Sequence, residues 1–119
     1  MEPKELALEL VKILDSKKGG DIRMLHTTEL TSLSDYLVIC TASSTTQIKS
    51  LSEACEEEMK LKGEAPKNVE GRRGNTWVLL DFYSVIVHVL TEETRAFYDL
   101  ERLWGDATQV DLSEVLTRD

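Results

Sequence analysis

Apolar residues recur at Leu6, Leu10, Ile13 and Leu14, with Ala7 and Val11 beside them, which is the stripe of an amphipathic helix. Pro3 stands where a first-turn proline is tolerated, and Gly19-Gly20 closes the pattern. A short strand is expected over residues 22–26. After a turn marked by Ser32, Ser34 and Asp35, the run Tyr36-Leu37-Val38-Ile39-Cys40-Thr41 is apolar at both parities and β-branched, so it predicts a central strand buried on both faces. Ser44 with Gln47 three positions on forms a capping signal for a second helix, whose buried side is Ile48, Leu51, Cys55 and Met59 and which Gly63 stops. A brief strand over 66–69 should follow, joined to the previous one by a right-handed crossover. Two longer strands, 75–82 and 84–90, are separated by almost nothing and so predict a hairpin. Thr91, followed by Glu92 and Glu93, starts a last helix with Phe97, Leu100, Leu103 and Trp104 on its apolar face and Gly105 at its end. Residues 106–119 carry only a weak apolar trace and read as a short helix or a loose tail.

The order helix, two strands, helix, three strands, helix predicts an α/β (α+β) fold with a mixed five-stranded sheet flanked by helices. One domain over residues 1–107 with a tail over 108–119 is expected.

Alternation divides the hairpin. Thr76, Val78 and Leu80 share one side with Val85, Val87 and Val89, an evident core face. The opposite side carries Trp77, Leu79, Asp81, Ile86, His88 and Leu90, which is too apolar for a solvated sheet face. Either a helix covers it or it is left for a partner. Trp and Tyr are enriched at binding hot spots, and Tyr83, Tyr98 and Trp104 add aromatic side chains close by. Residues 77–104 are therefore the expected gripping surface.

Composition narrows the partner. The net charge of −8 disfavours binding nucleic acid by neutralising phosphates. From Glu92 to Asp119 there are eight acids and three bases, a balance of −5, whereas Lys60 to Asn75 holds five bases and two acids, a balance of +3. An acidic end suits a basic partner, and ribosomal or nucleic-acid-associated proteins are the obvious basic class, although charge alone is explained more simply by solubility. No apolar run approaches the roughly 18 residues that span a bilayer, and no secretion signal is visible, so a cytoplasmic location without membrane partners is expected, the alternative being a compartment whose targeting peptide has already been removed. Cys40 and Cys55 sit in apolar patterns and read as buried free thiols.

Catalytic signatures are scarce. His26 and His88 are the only histidines, and neither has a second ligand at helical spacing, so neither a metal nor a cofactor is expected. His88 beside Asp81 could be drawn as a base and its orienter, but a structural pair or an interface contact is the plainer reading. The loop Gly71-Arg72-Arg73-Gly74 matches the Gly-x-x-Gly loop with which KH domains clamp a nucleic-acid backbone. Here it lies between strands, where an ordinary glycine turn is the simpler account.

Five segments in order then resemble a known family: Leu33-Ser34-Asp35-Tyr36-Leu37-Val38-Ile39-Cys40-Thr41, Glu70-Gly71, Trp77-Val78-Leu79-Leu80-Asp81, Val87-His88-Val89, and the run from Arg95-Ala96-Phe97-Tyr98 through Asp99-Leu100-Glu101-Arg102 to Leu103-Trp104. They are similar to the ribosomal silencing factor, or Iojap-like, family over nearly the whole chain. The resemblance implies a nucleotidyltransferase-like fold without catalytic carboxylates. It also implies a protein that binds the large ribosomal subunit at ribosomal protein number fourteen, blocks joining of the small subunit when nutrients are limiting, and homodimerises when free. Thr41-Ala42-Ser43-Ser44 lacks the glycine of a nucleotidyltransferase loop, and Asp99-Leu100-Glu101 has carboxylate spacing but falls in a predicted helix. The turn Phe82-Tyr83-Ser84 departs from the family's glycine-containing turn. Trp77, Leu79, Asp81, Ile86, His88, Tyr98, Leu100 and Glu101 are the expected partner contacts. Direct sequence-specific nucleic-acid binding is not expected; the alternatives are an RNA-binding module using Gly71–Gly74 and a nucleotidyltransferase-type enzyme.

Overall fold

A computed structural model describes residues 1–28, 34–71, 76–99, 102 and 105–116. Helix α1 (Pro3–Ser16) leads into strand β1 (Gly20–His26), β2 (Tyr36–Ala42), helix α2 (Thr45–Leu61), β3 (Asn68–Glu70), β4 (Trp77–Asp81), β5 (Val85–Thr91), helix α3 (Glu92–Tyr98) and β6 (Thr108–Gln109). The strands form one sheet in the order β3-β4-β5-β2-β1-β6. The β2–β5 pair is parallel and the other four pairings are antiparallel.

The mixed sheet with flanking helices is as expected, but it has six strands and not five. The sixth comes from the stretch read as a short helix or loose tail: Leu25 and His26 pair with Gln109 and Thr108, and Leu112 is buried in the main core. Its weak apolar trace is the pattern of an edge strand followed by a plug. The crossover from β2 through α2 to β3 spans two intervening strands. β3 runs parallel to β2, but β5 and β4 lie between them, so α2 carries the chain to the far edge of the sheet.

Both long helices pack on one face. Leu6, Ala7, Leu10, Val11, Ile13 and Leu14 of α1 meet Ile48, Leu51, Cys55 and Met59 of α2 over Val38, Cys40, Val78, Leu80, Val85, Val87 and Val89. Each fully buried Leu or Met contributes about 1.5–3 kcal/mol of transfer free energy, so this layer dominates stability. Cys40 and Cys55 are free and buried within it. Burial pushes the Cys40 thiol up to about 12, Arg95 partly opposing the shift, and burial raises Cys55 as well.

The capping signal is realised in a shifted form. Ser44 Oγ accepts from the Gln47 amide at 3.0 Å, while Gln47 Oε1 accepts from the Ser43 amide at 2.6 Å. The Gln47 amide group also donates to the carbonyls of Lys17 and Lys18, so one side chain caps α2 and ties it to the end of α1. The glycine between α1 and β1 is required by space: a Cβ on Gly19 would overlap Cys40 Sγ and crowd the Leu14 carbonyl.

Gly19→Ala should therefore lower stability by about 1–3 kcal/mol in a denaturant titration, as overpacking does. Adding Cys40→Ala should recover part of that loss; strictly additive effects would show that the sulfur is not the obstacle.

Candidate partner-binding face

Among the described residues no long helix packs on the second face of the sheet. Its centre is a small core of its own, with Leu25, Leu37, Ile39 and Leu90 buried and Trp77, Ile86 and Ala107 half-buried against them. The choice between an open and a covered face thus resolves by position: the β1–β2–β5 centre is closed, and the hairpin flank is half-open.

Along that flank the register sets Trp77 opposite Leu90, Leu79 opposite His88, and Asp81 opposite Ile86. Trp77, Leu79, Asp81 and Ile86 are each half-buried. His88 is buried, at 9% exposure, and its partner is Trp77, not Asp81: the indole Nε1–H donates to His88 Nδ1 at 2.9 Å. Asp81 is occupied elsewhere, its Oδ1 accepting from the Tyr83 amide at 2.8 Å. The drawn base-and-orienter pair is therefore replaced by an indole–imidazole bond that leaves the imidazole neutral. An Nδ1 that accepts places the imidazole proton on Nε2, and burial lowers the His88 pKa to about 4.

Tyr98 joins this group from α3. Its ring lies 4.9 Å from Trp77, and Phe97 meets it edge-on at 5.0 Å. Thr76, Trp77, Glu93, Thr94, Phe97 and Tyr98 line a groove of about 360 Å³. The apolar face assigned to the last helix needs correction here. Thr91 caps α3 as expected, its hydroxyl accepting from the Thr94 amide, but the helix stops at Tyr98 because Asp99 turns left-handed at φ 46°. Phe97 is 81% exposed and Tyr98 52% exposed, with exposed Glu92, Glu93 and Asp99 around them. Periodicity places Phe97 on the apolar side, but the packed fold turns that side chain to solvent. Leu100, Glu101, Leu103 and Trp104 lie outside the described residues, as do Arg72, Arg73 and Gly74. Gly71 itself is left-handed at φ 87°, where a Cβ would strike the Trp77 carbonyl.

One residue of this region escaped notice: Arg95, buried at 7% exposure beneath α3. Its only sequence signal is its place at the head of the Arg95-Ala96-Phe97-Tyr98 block. Among the described residues no three His, Cys, Asp or Glu side chains gather as a metal site, and no helix is long and apolar enough to cross a membrane.

The family model described as "Ribosomal silencing factor during starvation" matches residues 1–119. The chain belongs to the ribosomal silencing factor family. It is similar to the ribosomal silencing factor of Halalkalibacterium halodurans, at 32% identity over 98% of this chain and 100% of the relative. The corresponding protein of Chromobacterium violaceum is 36% identical, over 88% of this chain and 86% of the relative. A crystal structure of a Chromobacterium violaceum protein superposes with a TM-score of 0.86 at 36% identity, covering 88% of each chain. The ribosomal silencing factor family is one of regulatory proteins, which agrees with a face built from aromatic and acidic side chains.

The hairpin turn is one of the places where this chain shows backbone strain. Tyr83 adopts φ 72°, with its ring 65% exposed and Lys67 Nζ 5.7 Å from the ring centre. Tyr83→Gly should raise stability by about 1 kcal/mol, the left-handed penalty removed less the added chain entropy; a midpoint that falls in urea would contradict it. His88 sets a pH dependence. Its pKa of about 4 in the fold lies below its ordinary 6.5, so as pH falls the unfolded chain takes up the proton first. The stabilisation is complete above about pH 6.5 and is lost between 6.5 and 4, a change on the order of 3 kcal/mol. Unfolding free energies measured across that window should fall in the wild type and flatten in His88→Phe.

Proposed function

We propose that this protein silences ribosomes by occupancy and not by catalysis. It binds the large ribosomal subunit, chiefly its ribosomal protein number fourteen, where the small subunit would dock, and so represses translation when nutrients are limiting. The observation that carries this reading is the exposed Phe97–Tyr98 pair, backed by Trp77 and bordered by Glu92, Glu93 and Asp99. Aromatic side chains supply large contact area at low entropic cost, and surrounding acids steer a basic partner into register. Membership of the ribosomal silencing factor family supports the choice of partner.

One small surface suffices for such a mechanism. A bound protein at the subunit interface introduces overlap that joining must displace, so its binding energy acts directly against association. Asp81 and Leu79 extend the face along β4, and Leu100 and Glu101 belong to the same proposed contact. The free protein is proposed to be cytoplasmic and to form homodimers.

Sedimentation of purified subunits tests the idea. Excess protein should shift whole ribosomes to separate subunits, and unchanged formation of whole ribosomes would overturn the reading. Phe97→Ala with Tyr98→Ala should weaken large-subunit binding by about thirtyfold or more, the size of one lost hot spot, with circular dichroism unchanged.

A further inference from the structure

Helix α3 has seven residues and one buried side chain, Arg95. Helices this short are not stable by themselves, and Ala96, Phe97 and Tyr98 are all exposed, so no apolar residue of α3 is sunk into the sheet. The guanidinium makes the deepest attachment. Arg95 Nη1 donates to the Asp21 carbonyl at 2.7 Å and to Thr41 Oγ1 at 2.8 Å, and Nη2 lies 3.6 Å from Asp21 Oδ2.

The acceptors are assembled by an irregularity in β1. Gly20 pairs with Thr41 and Arg23 with Ile39, so β1 spends one more residue than β2 over the same span. That is a β-bulge, a device that re-aims backbone groups. Within it Asp21 takes the left-handed φ of 38°, an uncommon conformation for a side-chain-bearing residue. Its carbonyl and carboxylate both meet the guanidinium beside Thr41, three acceptor oxygens converging on one planar fork.

We propose that Arg95 is a positioning residue for partner binding: clasped by the Asp21 bulge and Thr41, it fixes the pose in which α3 presents Phe97 and Tyr98, without touching the partner. This rests on the reading of α3 as a contact element given above. Arg95 lies two and three residues before the aromatic pair, so its attachment sets both the rotation and the depth of the helix over the sheet. The clasp joins three elements distant in sequence, β1, β2 and α3, at a single charged group.

Hydrogen exchange and large-subunit binding, measured together on the full chain, test the proposal. In Arg95→Met the α3 amides should exchange faster while amides of β2 and β5 keep their protection, and binding should weaken by about tenfold or more, the worth of a lost charge-assisted hydrogen bond. Arg95→Lys, which keeps the charge but not the fork, should fall between the two. Asp21→Asn, which keeps the main-chain carbonyl, should weaken binding only about two- to threefold. In a Phe97→Ala, Tyr98→Ala background, Arg95→Met should add no further loss, because it acts through those rings. A merely structural role predicts instead additive losses and equal deprotection of α3, β2 and β5; either result overturns the proposal. Wild-type binding retained in both Arg95→Met and Arg95→Lys overturns it alone, whereas a wild-type protein that fails to bind large subunits overturns the partner reading and this role with it.

Discussion

Seven residues of β2 lie in parallel register with seven of β5, from Tyr36 opposite Val85 to Ala42 opposite Thr91. Parallel strands need a long connection, and here it contains α2, β3 and β4, so the pairing joins the first half of the chain to the hairpin. It also brings the ends of two strands together. Because Thr91 pairs with Ala42, the residue after Thr41, the helix that Thr91 caps starts over the end of β2, within reach of the β1 bulge. Without that register Arg95 would have no acceptors, and the aromatic pair two residues later would have no fixed place.

The two faces of the sheet serve different ends. Helices α1 and α2 cover most of the first face, and the valine side of the hairpin packs beneath them. Among the described residues the second face has a small buried apolar cluster of Leu25, Leu37, Ile39 and Leu90. Towards the hairpin the burial fades into half-exposed Trp77, Leu79, Asp81 and Ile86. Such a gradient leaves rigid side chains at the surface, held from behind by packing, which is how a preorganised contact keeps its binding entropy cost low. The Trp77–His88 bond adds direction, since an indole anchored through its N–H cannot rotate freely.

Polar groups do the precise work around this face. His88 is neutral and accepts, Asp81 holds the strained Tyr83 turn, and Arg95 holds α3. Alternation alone would assign His88 and Asp81 to a partner or to catalysis. In the fold each has an internal hydrogen bond, and the exposed contact area is left to aromatic rings and acids. The division matches the needs of binding by occupancy, where stable presentation matters and no proton has to move.

Much of this was legible in local patterns. The stripes of α1 and α2, the double-sided burial of β2, the valine face of the hairpin and the Thr91 cap all follow from side-chain periodicity and backbone propensity, which act over a few residues and so are written in consecutive positions. Trp77 and Tyr98 were recognisable by type and parity as members of one surface. Other features were not legible, and for one physical reason: they depend on contacts between segments far apart in sequence. The sixth strand exists because β1 offers a free edge. The landing place of β3 was set by which edge α2 could reach. The exposure of Phe97 follows from how α3 is set over the sheet, and the choice of Trp77 over Asp81 for His88 from the register of β4 on β5. The buried Arg95 depends on a bulge 74 residues away. Periodicity determines which face of an element is apolar; only the packed fold decides what lies opposite it.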